Sequence, residues 1–279
     1  MLGAYSIIIQ ASPISTLQPN TKTPASTVPA VDNDTLNLFK SNKKIDIDAI
    51  YAESSEEKIN QLDRLSQAGV ILNCTVPRTL ALTFDDGPYK FTNSLLDLLK
   101  KYNVTATFFM NGENWSNIRN YTTVVKRAFD EGHQLGSHTY THPDLTNLTN
   151  PQIYDQMTKL DDAFLEIIKV RPIFMRPPFG YLNNRVIALL KSMEYKIVLW
   201  NINTNDWDHP KDIDQSLGIY KKNLEAPGAI TKGFIGLEHD THVETATILA
   251  EKAILYARSL NFTLATVGEC TGDRVWYRL

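Results

Sequence analysis

Two adjacent carboxylates, Asp85 and Asp86, and two histidines four residues apart, His138 and His142, are residue types that bind a divalent metal and move protons beside it. Asp86, His138 and His142 can close a three-ligand set around zinc, and a catalytic zinc keeps a further position for water. Asp85 is then spare and can serve as the base that takes a proton from that water. The stretch from His138 to His142 lacks the glutamate that follows the first histidine of a zincin helix, so the base must come from elsewhere. Their spacing lets both imidazoles face one ion from a single helical turn. Later in the chain, His239 ends the run Leu237-Glu238-His239 and can protonate a leaving group, with Asp240 beside it to set its protonation. One site would thus carry nucleophile, base and acid for hydrolysis of an amide or ester.

Each motif also has a plainer reading. Asp85-Asp86-Gly87-Pro88 is ordinary turn composition. Two neighbouring carboxylates repel, however, unless a cation or arginine is close, which links them to the histidines. Arg176-Pro177-Pro178-Phe179-Gly180 reads as a stiff turn, with two fixed φ angles and a glycine exit. Its functional reading has Arg176 orienting Asp85 and partnered in turn by Asp206, while the Phe179 backbone N–H donates to an oxyanion. Asp206 could instead cap a helix and Trp207 could be core. His133, His209 and His242 are expected to be structural or solvent-facing.

These residues need a frame, and the hydrophobic pattern supplies one. Apolar runs at 80–84, 106–110, 134–137, 173–175, 196–200 and 234–237 read as strands. They alternate with helical spacing over 94–102, 124–131, 151–168, 184–193 and 245–260. Strand-helix alternation implies a parallel sheet, and the candidate residues fall just past the ends of strands. In a (β/α) barrel those ends converge on one face, where such folds place their sites. The class expected is therefore α/β, a distorted (β/α) barrel of about seven or eight parallel strands with an N-terminal extension.

With 279 residues, 43% hydrophobic and 21% charged, the chain can bury a full core. A net charge of -3 gives no attraction for nucleic acid or anionic lipid. No run of about 18 apolar residues is present, so no membrane span is expected. Residues 1–44 read as a signal-like and Ser/Thr/Pro-rich segment, 45–73 as an accessory helical segment, and 74–279 as the catalytic domain. Cys74 and Cys270 stand near the ends of that domain and either form a disulfide or remain two buried thiols. Asn33, Asn73, Asn103, Asn114, Asn120, Asn147 and Asn261 each open a glycosylation triplet, which points to a secreted glycoprotein and favours the disulfide.

The ordered set Thr83-Phe84-Asp85-Asp86-Gly87, His138 with His142, Arg176-Pro177-Pro178-Phe179, Asp206-Trp207 and Leu237-Glu238-His239 closely resembles the five motifs of NodB-like polysaccharide deacetylases, carbohydrate esterase family 4. The flanks around Cys74 and Cys270 look like the fungal chitin deacetylase branch. The resemblance covers roughly residues 74–272. It implies that Asp85 is the base, that Asp86, His138 and His142 hold zinc or cobalt, and that Arg176 and Asp206 support the base. It further implies that Leu237 lines a pocket for the acetyl methyl group and that His239 is the acid. Phe179 replaces the commoner tyrosine, which matters little if its backbone does the work, and Asn203 stands where many members have aspartate. The implied substrate is chitin or chitooligosaccharide, handled by a monomer outside the cell or in the wall; by residue type Tyr140, Tyr181 and Trp207 are candidates either for walls that stack on sugar faces or for packing. The alternatives are the same chemistry on peptidoglycan or acetylated xylan, or a non-catalytic chitin-binding wall protein.

Overall fold

The structure, a computed structural model, describes residues 43–279 except Ser54. The expected signal-like run, the Ser/Thr/Pro-rich segment up to residue 42 and the Asn33 triplet lie outside the described residues.

The architecture grows from one strand. β2 (Thr79–Asp85) is buried along its whole length, as a strand covered on both faces of a parallel sheet must be. Its side chains alternate between two cores. Leu80, Leu82 and Phe84 join the cluster beneath the outer helices, while Ala81 joins the cluster enclosed by the sheet. Around it lie β3 (Thr107–Met110), β4 (Gln134–Ser137), β5 (Phe174–Met175), β7 (Lys196–Ile197), β8 (Ile202–Asn203), β9 (Gly233–His239) and β10 (Thr263–Leu264). The order β7-β5-β4-β3-β2-β9-β8 is parallel throughout, and β10 adds to the start of β2. The sheet curls into an incomplete barrel, as the α/β pattern predicts.

Register then decides where the chemistry goes. β9 pairs with β2 residue for residue from Gly233 opposite Thr79 to His239 opposite Asp85. On the other side Asp85 lies opposite Phe109, and Ser137 lies between Met110 and Met175. Every strand of this run therefore ends on one face, and the residues that follow the ends meet there.

The helices cover the outside. In α3 (Thr92–Lys101) Leu95, Leu96 and Leu99 form the buried stripe, with Lys100 and Lys101 in the last turn where cations suit the helix dipole. α4 (Thr122–Asp130), α5 (Asn150–Ile168), α6 (Asn184–Ser192) and α8 (Ala250–Ser259) follow the expected pattern, although residues 245–249 form a wider π turn before α8. Besides the four-residue helix Val267–Cys270, one longer helix was not expected. α7 (Ile213–Leu224) carries Gly218 in its middle, yet it buries Ser216, Tyr220 and Leu224 at four-residue steps.

The segment expected to be accessory is built into the core. β1 (Ile45–Asp46) pairs antiparallel with β6 (Tyr181–Leu182), and α1 (Ile47–Ala52) and α2 (Glu56–Gln67) follow. Ile47, Ile50, Leu65, Val70 and Leu72 all belong to the cluster enclosed by the sheet. Cys74 and Cys270 form the disulfide, with Cα atoms 5.0 Å apart across 196 positions of chain. The six described triplet asparagines, Asn73, Asn103, Asn114, Asn120, Asn147 and Asn261, are all exposed.

Closing a loop of that length constrains the unfolded chain by up to about 5 kcal/mol. Replacing both Cys74 and Cys270 by alanine is expected to lower Tm by roughly 5–15 °C in calorimetry. An unchanged Tm would mean that the bridge adds nothing to the packed core.

Candidate active site

Asp86 follows β2, and His138 directly follows β4. The two histidines do not share a helical turn, contrary to the reading of their spacing. The chain from His138 to His142 is irregular, with Thr139 (φ 69°) and His142 (φ 57°) left-handed. Asn111 holds it by donating to the carbonyls of His138 (2.6 Å) and Thr139 (2.9 Å), and Thr139 Oγ1 accepts from His142 N at 3.1 Å. The four-residue spacing works because this bend, rather than a helix, returns His142 to His138.

The result is a compact donor set. His142 Nε2 lies 3.3 Å and His138 Nε2 lies 3.7 Å from Asp86 Oδ1. His138 Nδ1 meets the Arg176 carbonyl at 2.8 Å, and since a carbonyl only accepts, the ring proton sits on Nδ1 and the Nε2 lone pair faces Asp86. Burial pushes His138 down to about 3 and His142 down as well, so both rings are neutral, the form that binds metal. Ligand atoms of Asp86, His138 and His142 lie within 4.8 Å of one another. Two imidazole nitrogens and one carboxylate oxygen suit a zinc-like divalent ion, so the residues fit the metal the sequence implies. Asp86 is steadied from outside by Asn114 Nδ2 at 3.3 Å and by the Trp115 indole at 3.4 Å.

Asp85, at the end of β2, is buried and accepts from Arg176 Nη1 at 2.8 Å. Arg176 is itself fully buried, donates also to Thr83 Oγ1 at 2.7 Å and to the Leu199 carbonyl, and lies between the rings of Phe109 (4.3 Å) and Trp200 (5.4 Å). Burial raises the Asp85 pKa and the Arg176 charge opposes that rise, leaving a carboxylate more basic than usual. A base of that kind suits proton abstraction near neutral pH. The turn after Arg176 places Phe179 in the left-handed region (φ 61°), with its ring 4.7 Å from His142 and 5.5 Å from Tyr181.

His239, opposite Asp85, is held by Asp206. Nδ1 lies 2.8 Å from Asp206 Oδ1, and the backbone N–H of His239 donates to Oδ2 at 2.7 Å, which also accepts from Thr245 Oγ1 at 2.8 Å. Burial alone would lower the imidazole pKa, but the Asp206 charge and bonds outweigh it and push it up to about 9. The ring is therefore a proton donor at neutral pH. Two expectations need correcting. Asp206 serves His239 rather than Arg176, because β8 and β9 are neighbours and the turn after Asn203 aims Asp206 at the end of β9. Asp240 does not set the His239 proton either; it accepts from Thr92 and packs on Gly87, where a Cβ would come within 2.4 Å of its carboxylate. Burial pushes Asp240 up to about 7.

The Polysaccharide deacetylase family profile matches residues 72–198. A chitin deacetylase of Pestalotiopsis sp is 42% identical over 211 residues, covering 75% of this chain and 70% of that protein. The solved structure of the chitin deacetylase of Colletotrichum lindemuthianum superposes with a TM-score of 0.72 at 37% identity, covering 76% of this chain and 96% of that one. A peptidoglycan-N-acetylglucosamine deacetylase of Listeria monocytogenes is 36% identical over 199 residues, covering 71% of this chain and 40% of that protein. The chain belongs to the polysaccharide deacetylase family.

Around this deacetylase centre the remaining expected residues are spread unevenly. Leu237 is buried on β9, while Trp207 and Phe179 are half exposed. Tyr181 lies beneath Lys44 Nζ at 3.9 Å, and Tyr140 closes over Gly112, where any Cβ would meet its ring at 2.1 Å. His133 is structural, accepting from Ala106 N at 3.1 Å, and His209 is exposed. His242 comes to the rim, 6.2 Å from both Trp115 and His239. Asn114 and Trp115, which carry no motif beyond a glycosylation triplet, and Thr245, whose hydroxyl acts only through the folded contact with Asp206, join the site without a signal of their own in the sequence.

Because Asp206 raises the His239 pKa, Asp206→Asn is expected to bring it down from about 9 towards the ordinary histidine value of about 6.5. An NMR titration of the ring nitrogens checks this, and an unmoved midpoint would remove Asp206 as the cause. The sign for stability follows: a raised folded pKa stabilises the fold fully below about 6.5, and that contribution is lost as pH rises through about 9.

Proposed function

We propose that this protein hydrolyses N-acetyl groups from N-acetylglucosamine residues of chitin or chitooligosaccharides, using zinc, with cobalt able to replace it. The observation that carries the reading is the register of β2 against β9, which sets Asp85 and His239 side by side next to the Asp86, His138 and His142 donor set. Asp86, His138 and His142 would hold the ion, which when bound would supply a Lewis acid for the acyl oxygen and lower the pKa of water. Asp85, oriented by Arg176, takes the proton from the attacking water. The Phe179 N–H, presented by the left-handed turn, donates to the acyl oxygen as charge develops. His239, held protonated by Asp206, gives its proton to the departing sugar nitrogen. Leu237 faces the acetyl methyl, and Tyr140, Tyr181 and Trp207 form walls for sugar rings.

The disulfide and the six exposed triplet asparagines support a secreted or wall-associated glycoprotein. No helix among the described residues is long and apolar enough to cross a membrane. The names of relatives favour one second reading, the same reaction on peptidoglycan.

Acetate release from chitin oligomers, with peptidoglycan and acetylated xylan in parallel, tests the reading. Chelation is expected to abolish release and zinc to restore it, with chitin oligomers preferred; preference for another polymer moves the substrate, and no release from any favours a binding protein. Asp85→Asn is expected to keep zinc bound, by metal analysis, and to lower kcat roughly 10²- to 10⁴-fold. Retained turnover in that variant would sink the base assignment.

A further inference from the structure

Asp48 lies on α1, upstream of the residues that match the family profile, yet both of its carboxylate oxygens are used inside the catalytic frame. Oδ1 accepts from the Trp200 indole N–H at 2.9 Å, and Oδ2 accepts from Asn203 Nδ2 at 2.9 Å. The carboxylate reaches this place because β1 pairs with β6, directly after the Phe179 turn, and because Asp46 caps α1 by accepting from Asp48 N at 3.1 Å and Ala49 N at 3.2 Å.

Each partner leads to one half of the proposed reaction. The Trp200 ring is buried and forms one wall of the Arg176 guanidinium that holds Asp85. The same ring lies 2.7 Å from where a Cβ on Gly180 would stand, and Ile47 of α1 lies 2.6 Å from that point. Trp200 and α1 therefore clamp the turn that presents Phe179. Asn203 lies opposite Leu237 on β9, and its Oδ1 accepts at 2.9 Å from the backbone of Asn205, the left-handed residue (φ 53°) that turns the chain into Asp206. One carboxylate thus ties the side that holds the base to the side that holds the acid.

We propose that Asp48 is a positioning residue for the deacetylase reaction, fixing Trp200 and Asn203 so that Asp85 and His239 keep their mutual geometry. The proposal rests on the deacetylase reading. The Asp48 carboxylate bonds to Trp200 and Asn203 rather than to Asp85, His239 or the donor set, so its loss acts on kcat through misplacement of the catalytic pair. A residue that merely anchored α1 would change Tm and leave kcat per folded molecule alone.

The Asp48–Asn203 pair permits a test by exchange. In Asp48→Asn, two amide donors face each other across the pair, and in Asn203→Asp, two carboxylates do. The double exchange rebuilds the bond with donor and acceptor reversed, keeps an acceptor for Trp200 and leaves the net charge unchanged. Each single variant is expected to lower kcat on chitin oligomers roughly ten- to a hundredfold with KM and zinc content unchanged. The double variant is expected to recover to within about threefold of wild type. Where a single variant does not fold, Asn203→Ala takes its place, with the same fall in kcat expected. Wild-type kcat in the singles or in Asn203→Ala overturns the proposal, as does a double variant no better than the worse single. A wild-type protein that releases acetate while the variants do the same refutes the positioning role alone; a wild type that releases none from any polymer refutes the deacetylase reading, and the proposal with it.

Discussion

A guanidinium with no access to water is the constraint around which the rest of this molecule is arranged. Taking Arg176 out of water costs several kcal/mol, and the cost is offset only if its donors meet well-placed acceptors. Asp85 and Thr83 from β2 meet Nη1 and the carbonyl of Leu199 meets Nη2, while Nε has no partner among the described residues and the rings of Phe109 and Trp200 lie against the guanidinium. The arginine's own carbonyl fixes the proton on His138. One buried side chain and its backbone therefore orient the base and a metal ligand together. Breaking the pair from either side would strand a charge in the core.

Much of this was legible in the amino-acid sequence, and the rest was hidden for physical reasons. Apolar runs such as the one from Leu80 to Phe84 mark strands because a parallel strand is buried on both faces. Residues just past those runs then share a face, so Asp85, Asp86, His138, Arg176 and His239 could be gathered without coordinates. Partner choice was harder. The residues alone suggested Arg176 as the partner of Asp206, and the pairing of β8 with β9 gives it to His239 instead. Helix α7 was masked by Gly218, whose propensity cost is overridden by burial of Tyr220 and Leu224. Asp48 could not be found at all, since nothing local signals a contact made across 152 and 155 positions.

The site also holds backbone tension. Asp86, Thr139, His142, Phe179 and Asn205 all have positive φ without being glycine. Each such residue costs on the order of 1–3 kcal/mol, which persists only where the surroundings overdetermine the conformation. Here the surroundings are the curled sheet, the Asn111 bonds under the histidine bend and the α1 clamp on the Phe179 turn. Rigid elements absorb the tension, and the loops deliver side chains at angles that relaxed turns would not reach.

The disulfide has one more consequence. Cys74 and Cys270 bring the entry and exit of the curled sheet to a single point, and the backbone N–H groups of Thr75 and Val76 both donate to the Cys270 carbonyl there at 3.0 Å. A curled sheet whose two flanks meet is closed like a hoop by a single clasp. The segments that run on from the two flanks, α1 and α2 before Cys74 and the strand Tyr277–Arg278 after Cys270, can then pack on the body without pulling on the curled sheet.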